Sequence, residues 1–551
     1  MPEKEITIEI KNPYVIILLL ILLGIFIMEL QVTFNTPIVF GDEGYHTRIA
    51  QWIAEEVEYP VWDPITETKL TKVGLTRLPL WNILEASFLF IFGVHEGVIK
   101  FLTPFIAFLT GVSVYLLVKR LYNKELGFIA SIILMTIPSF ITYSVLFYTD
   151  IPVTFYFSLS FLTFALGLKN ENKRYWILSG IFGGLAFLSK SSGVAIYIFI
   201  FLMFLYQLIK EREFYKLFKK YSVLFLILIL VPSTFFLRNF YYYKAPCISI
   251  PFFGYLFDNS GCNIDNFEEK YDFAGRTEEI GTEQDLLKMG VINYLNFAYG
   301  TYPIGSIIIP SIFFAMCGLI MLFMKRGKID VLILLMLIVI FPVISVTTGR
   351  AEDTARYTLI WVLIISLISA KYFEEIYSFT KRYQKYLALI VFVFVIIFGY
   401  LNLIEKLNIM REVKKFSPSF FEACDWIKEN TPKDAVVSTF WSSRAVYNCQ
   451  RNSPGCPADL RLSNDVNYTV SVAEQLGITH IFIQKFSIDP QNRHLSENFD
   501  LDFVNLLENS PEYFKKVYEN GPPLQQCLQQ GGCDGNIVYE INYKWNWDSG
   551  I

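Results

Sequence analysis

Two acidic positions have the chemistry of a general base. Asp42 and Glu43 stand together in FGDEGYHTRIAQWIAEE, and Asp150 stands in LFYTDIPVTF, two residues before Pro152. A carboxylate within hydrogen-bond reach of a hydroxyl can take its proton in the transition state. Five cations have the chemistry of phosphate contacts: Arg77 in GLTRLPLW, Lys190 in GGLAFLSKSSG, Arg238 in FFLRNFYYYKAP, and Arg350 and Arg356 in GRAEDTARYTL. Arg and Lys hold phosphate by charge and N–H donors, and would stabilise charge on a departing phosphate. Each residue also has a plainer use. Asp42 and Glu43 suit the first turn of a helix, and Asp150 suits a helix cap. Any of the cations could snorkel, and Arg356 could pair with Glu352 or Asp353.

Such residues make a site only if the fold holds them at one depth and on one face. Of the 551 residues, 53% are hydrophobic and 18% charged, the balance of an integral membrane protein. Lys and Arg are spread through short loops with no basic stripe, which excludes nucleic acid as a partner. Aromatic residues, 17% of the chain, suit lipid-facing and interfacial surfaces. A window of roughly 20 apolar residues predicts about eleven spans. They start near 13, 97, 126, 151, 174, 192, 221, 302, 329, 355 and 385. The first reads as a retained anchor, because Glu3, Glu5 and Glu9 precede it and no small-x-small cleavage site follows.

One alternating set of loops is basic throughout: Lys119 to Lys124, Lys169 to Arg174, Lys210 to Lys220, Lys325 to Lys328, and Lys371 to Lys385. The positive-inside rule makes that set cytoplasmic. The other set, with residues 34–96, the turns holding Asp150 and Lys190, the segments holding Arg238, Arg350 and Arg356, and everything after about 405, is then outside. In the first outer loop, Tyr45, Ile49, Trp52 and Ile53 recur at helical spacing, which predicts a helix lying in the membrane interface.

Composition changes after residue 405. FFEACDWIKENTPKDAVVSTF predicts a helix, a turn and a buried strand; ITHIFIQ and GNIVYEI predict further strands; FVNLLENSPEYFKKVYEN predicts a helix and turn. This alternation is that of a small α/β domain. Asn467-Tyr468-Thr469 is an N-x-T tripeptide, and the tail histidines His480 and His494 read as ordinary surface or strand residues. Cys247/Cys262, Cys449/Cys456 and Cys527/Cys533 are close in sequence and fall in outer segments, where an oxidising compartment would permit disulfides; Cys317 lies in an apolar run as a small hydrophobe.

Taken in order, these motifs resemble the GT-C membrane glycosyltransferases, in the branch of protein mannosyltransferases and lipid A aminoarabinose transferases. The resemblance covers roughly residues 13–405. It rests on Asp42-Glu43-Gly44-Tyr45, on TRLPLWNILEASFLFIFG with Arg77 at the basic position, and on Asp150. It rests also on GIFGGLAFLSKSSG with Lys190, on Arg238-Asn239 followed by Pro246, and on Arg356-Tyr357. It implies an α-helical polytopic membrane protein of GT-C type, residues 1–405, with interfacial helices in its first outer loop, 34–96. An extracytoplasmic α/β domain, 406–551, follows. It implies a multi-pass protein of the cell membrane with an extracytoplasmic active site. The donor would be a sugar on a polyprenyl, dolichyl-type phosphate, transferred with inversion to a protein or glycolipid acceptor. Asp42 would be the base, with Glu43 and Asp150 as further acids. Arg77, Lys190, Arg238, Arg350, Arg356, Tyr357 and Tyr45 would hold substrate and phosphate. No cofactor is certain. Thr76-Arg77 stands where the aminoarabinose transferases carry Glu-Lys, which leaves a divalent metal open, and the oligosaccharyltransferase Trp-Trp-Asp signature is absent from the tail.

Two other readings compete. A transporter or flippase for lipid-linked sugars would carry ionisable residues inside its spans and often repeated halves. A non-catalytic subunit would act through its tail.

Overall fold

The computed structural model describes residues 13–65, 75, 77–245, 359–379, 384–456, 458–489, 491, 499–529 and 533–543. Helices stand at the expected spans: α1 (Pro13–Phe34), α4 (Glu96–Leu121), α5 (Lys124–Thr136) with α6 (Pro138–Ser144), α7 (Asp150–Asn170), α8 (Lys173–Ser189), α9 (Ala195–Glu211), α10 (Phe214–Tyr243), α11 (Leu359–Phe379) and α12 (Gln384–Val413). The spans expected near 302 and 329 lie outside the described residues, as do Arg350, Arg356, Tyr357, Pro246, Cys247, Cys262 and His494. Among the described residues, five helices are long and apolar enough to cross a membrane, or six if α5 and α6 form one span bent by 68°. Pro138 opens α6 and has no N–H to continue the ladder from α5, which accounts for the bend.

Two features seat α8 in the bundle. Phe157, Phe161 and Phe164 form one buried stripe of α7. Phe164 meets Trp176 of α8 edge-on at 5.4 Å, and Trp176 lies 5.0 Å from Tyr221 of α10. Gly180 and Gly184, one turn apart, let α10 approach closely: a Cβ there would come within 2.8 Å of Ile227 and 2.5 Å of Val231. The Gly-rich motif before Lys190 is therefore a helix-packing device.

Between α1 and α4 run α2 (Glu43–Glu56) and the apolar α3 (Leu80–Phe92), packed on each other. The expectation of a lipid-facing α2 is corrected. Ile49 is fully buried against Ile65, Leu75 and Val446, and the Tyr45 hydroxyl donates to Asp63 at 2.8 Å. The apolar stripe of α2 faces protein.

The C-terminal region is α/β, as expected. It contains α13 (Pro418–Asn430), β1 (Val437–Ser438), α14 (Ser442–Asn448), α15 (Ala458–Arg461), α16 (Val466–Leu476), β2 (His480–Gln484), β3 (Ile488–Asp489), β4 (Phe499–Asp500), α17 (Leu501–Asn509), β5 (Phe514–Asn520), α18 (Leu524–Gln529) and β6 (Asn536–Ile541). The main sheet runs β1-β2-β6-β5, with β1 parallel to β2 and the other pairs antiparallel. Strand β2, one of its two interior strands, is buried along its whole length.

One of the possible cysteine pairs is replaced by another here. Cys449 bonds Cys424 rather than Cys456, because Cys424 shares the inward face of α13 with Phe420, Ala423 and Ile427 and meets the end of α14. Cys456 is unpaired and buried, whereas Cys527 and Cys533 do bond. The N-x-T tripeptide lies in the first turn of α16, where Thr469 is fully buried and bonded to Ser463 and to the Asp465 carbonyl.

The C-terminal region rests on the first loop. Ser443 Oγ donates to the Gly41 carbonyl at 2.7 Å, Asn448 Nδ2 to the Ile38 carbonyl at 3.0 Å, and Ser453 N to the Ile65 carbonyl at 3.1 Å. Gly44 makes this seat possible, since a Cβ there would lie 2.2 Å from the Ser443 carbonyl oxygen. Gly44→Ala is expected to push α14 off α2 and destabilise the protein by about 1–3 kcal/mol, the usual cost of overpacking. Thermal unfolding in detergent, followed by the rate of protease cleavage near residue 440, checks this; an unchanged melting temperature contradicts it.

Candidate active site

The turn between α1 and α2 sets the position of Asp42. Gly41 has φ +46°, and a Cβ there would fall 2.1 Å from the Tyr148 hydroxyl, so both backbone conformation and space require glycine. That hydroxyl accepts from Asp42 N at 3.2 Å and donates to the Phe40 carbonyl at 3.1 Å. Asp42 occupies the N-cap position of α2 but makes no side-chain cap bond. Its carboxylate instead meets Arg77, at 3.3 and 3.4 Å, and about a third of its side chain is exposed.

Helical spacing builds the cradle of Arg77. Positions 42, 45 and 46 lie on one face of the first turn of α2. The guanidinium lies 4.1 Å over the Tyr45 ring and 3.3 Å from His46 Nε2. As Arg only donates, Nε2 accepts, and His46 Nδ1–H donates to Asn82 Oδ1 of α3 at 2.8 Å. Arg77, Tyr45 and Asp42 thus come together as expected. His46, Asn82 and Asp63 belong to the same cluster and were not singled out from sequence. His46 lies one helical turn beyond Asp42, which is the signal that would have found it.

Glu43 has a different place, and its expected role as a site acid is corrected. It is fully buried. Its carboxylate accepts from Phe40 N at 3.0 Å, Phe147 N at 3.2 Å and the Lys414 ammonium at 2.8 Å. Lys414 follows the last residue of α12, is fully buried too, and also donates to the Val145 carbonyl. Burial pushes the Lys414 pKa down, and Glu43 opposes that. With these contacts to protein groups and no solvent access, Glu43 is not presented to an acceptor.

Asp150 is the first residue of α7 and is buried. Its carboxylate receives Lys190 Nζ at 2.5 Å. Lys190 sits between α8 and the 3-10 turn Ser191–Val194, the tight turn expected there. The pair joins the start of one span to the end of another. The Asp42 turn is tied to the stretch just before Asp150 through Tyr148 and Phe147.

Arg238, near the end of α10, reaches back to the first loop. It donates to the Pro60 carbonyl at 2.5 Å and lies 4.8 Å over the Tyr59 ring. The Tyr59 hydroxyl donates to the Arg77 carbonyl at 3.5 Å. Tyr59 therefore stands between two of the expected cations. Among the described residues no three of His, Cys, Asp or Glu converge as a metal site would require.

Two ionisable groups were missed from sequence. Glu29 lies buried within α1 and accepts from Ser144 Oγ at 2.6 Å. Glu85 of α3 is fully buried, and among the described residues neither of its oxygens has a hydrogen-bond partner. Burial first, and the charge of Glu43 second, push the Glu85 pKa well above its ordinary 4.5.

Comparison with known proteins agrees with this architecture. Residues 77–236 match the family profile described as dolichyl-phosphate-mannose-protein mannosyltransferase. No curated protein matches the chain. The oligosaccharyltransferase AglB from Archaeoglobus fulgidus, solved with an inhibitory peptide and a dolichol-phosphate, superposes with a TM-score of 0.59 at 16% identity, covering 96% of this chain and 75% of that one. ArnT from Cupriavidus metallidurans, solved with undecaprenyl phosphate, superposes with a TM-score of 0.57 at 11% identity, covering 96% and 98%. The arabinofuranosyltransferase AftD from Mycobacteria gives a TM-score of 0.51 at 12% identity over 95% of this chain and 41% of that one. At these identities the likeness is one of fold.

The buried Glu85 gives a pH-dependent prediction. Its folded state keeps a proton that the unfolded chain releases above about pH 4.5, so its contribution to stability falls as pH rises. Glu85→Gln should match the parent near pH 4, where both side chains are neutral, and exceed it near pH 8. Melting temperatures at the two pH values check this; an equal difference at both contradicts it.

Proposed function

We propose that this chain, a polytopic membrane protein of the GT-C fold with a C-terminal α/β region, is a glycosyltransferase. In this reading it moves a sugar from a polyprenyl phosphate to an acceptor at the extracytoplasmic face. The observation that carries it is the Asp42–Arg77 pair at the outer end of α1. There a partly exposed carboxylate is held by a guanidinium that Tyr45 and His46 fix in place. The match to the mannosyltransferase profile includes Arg77, Asp150, Lys190 and the α7–α8 bundle, and two of the similar structures hold polyprenyl phosphates.

The chemistry follows from these groups. Asp42 takes the proton of an acceptor hydroxyl as its oxygen attacks the anomeric carbon. The bond from that carbon to the phosphate oxygen breaks on the opposite face, so the sugar inverts and the lipid phosphate leaves with the bonding electrons. Arg77 orients Asp42. Lys190, held by Asp150, and Arg238 supply positive charge for the leaving phosphate; the sequence motifs add Arg350 and Arg356 as further cations and Tyr357 as a hydroxyl donor. In this reading Arg77 places a positive charge beside Asp42 and opposes a divalent ion at that carboxylate. The acceptor is a hydroxyl of a protein or glycolipid. The alternation of basic and non-basic loops along the sequence supports an extracytoplasmic site.

Asp42→Asn keeps the size of the side chain and removes the base. It is expected to lower transfer by about 10²–10⁴-fold, with the melting temperature unchanged. Asp150→Asn is expected to lower transfer too, by freeing Lys190. The assay is mass spectrometry of surface glycoproteins and glycolipids from cells carrying each variant, against cells lacking the chain. Transfer that survives both substitutions contradicts the assignment.

A further inference from the structure

A pocket lies on the side of α2 away from Asp42. Gln51 follows Asp42 by nine residues, which at 100° per residue places it half a turn away around the helix. There a cavity of about 460 Å³ opens between the end of α1, the start of α4 and the helices α13 and α14. That volume falls within the range of about 300–1,000 Å³ usual for small-molecule sites.

Its walls have a specific chemistry. Gln51, Asn448 and Gln450 supply amides, and Phe421 and Tyr447 supply aromatic rings. Among the described residues nothing hydrogen-bonds the amides of Gln51 and Gln450, while Asn448 uses its N–H groups on the Ile38 and Arg444 carbonyls. An amide offers a donor and an acceptor together, which suits a hydroxyl that is also both. An aromatic ring offers an apolar face to the C–H side of a sugar. The charges are already paired: Lys100 with Glu96 at 3.1 Å and Lys428 with Asp425 at 3.0 Å. With these charges already paired, the hydrogen-bonding capacity left in the walls lies in the neutral amides, which suits a neutral, polyhydroxylated ligand.

We propose that this pocket binds a neutral sugar unit, at a site separate from Asp42 and independent of the transferase reading. Its walls include the end of α1 and the start of α4, so the sugar comes either from a membrane glycolipid or from a soluble glycan.

The test uses the full chain in phosphatidylcholine nanodiscs. Saturation-transfer NMR reads binding of methyl α-mannoside, methyl β-glucoside and methyl β-galactoside. At least one should bind. Gln51→Ala and Gln450→Gly should each weaken it at least tenfold, and Asp42→Asn should leave it unchanged. Glycine suits position 450, where φ is +51°, and the two variants sit on separate elements, so one folded variant decides. A second arm adds digalactosyl diacylglycerol to the nanodisc: displacement of the soluble probe assigns the sugar to a lipid, and no displacement to a soluble glycan. The proposal is overturned if no glycoside binds, if binding survives both pocket variants, if Asp42→Asn abolishes it, or if inorganic phosphate displaces it.

Discussion

The buried ion pair between Glu43 and Lys414 holds together the end of the helical bundle where Asp42 and Asp150 lie. Burying two charges costs several kcal/mol per ion, offset only where geometry is good and the remaining hydrogen-bonding capacity is filled. Here Glu43 takes two backbone N–H groups as well as the ammonium, and Lys414 adds the Val145 carbonyl and lies 4.6 Å over the Phe147 ring. Three distant stretches meet at one point: the start of α2, the turn before α7, and the end of α12. Asp42 precedes Glu43 in the chain, and Asp150 follows Phe147 by three residues. Both acids are placed by a pair that does not itself face a substrate.

The first loop is then closed from two sides. Arg238 of α10 holds Tyr59 and Pro60, and Tyr59 holds the carbonyl of Arg77. From the C-terminal region, Ser443 and Asn448 hold the turn that leads to Asp42. The tail is thus a wall of the site as well as a separate sheet. A glycosyltransferase that activates a hydroxyl needs its base fixed within a fraction of an ångström. This loop would be poorly ordered if left to its own short helices.

Much of this was legible in the sequence, for identifiable reasons. Apolar runs read the spans because lipid requires long unbroken helices, and the order of weak motifs read the fold. Asp42 with Arg77 and Asp150 with Lys190 were recognised as residues of one face, though not as pairs. What failed was partner choice. Nothing local distinguishes Asp42 from Glu43; only Lys414, far along the chain, shows which acid is spent on structure. Cys449 likewise chose Cys424, which helical periodicity brings near, over the closer Cys456. The strand Phe514–Asn520 read as helix and turn because it is a charged edge strand with a bulge at Lys516/Tyr518, and so lacks clean alternation. The stripe at Tyr45 and Ile49 read as lipid-facing because sequence cannot tell a lipid from a protein neighbour.

The most direct test of Glu43 as a positioning residue is a double-substitution cycle read by transfer activity. Glu43→Gln keeps only one of the two acceptor oxygens, of which Oε2 serves Phe40 N and Oε1 serves Phe147 N and the ammonium, and strands the Lys414 charge; adding Lys414→Met removes that charge with a side chain of similar length. If the pair only positions Asp42, the single variant loses transfer and the double variant recovers to within about tenfold of the parent, as replacing a buried pair by neutral groups is often tolerated. A double variant that folds normally yet remains as inactive as Asp42→Asn would show that Glu43 takes part in the chemistry.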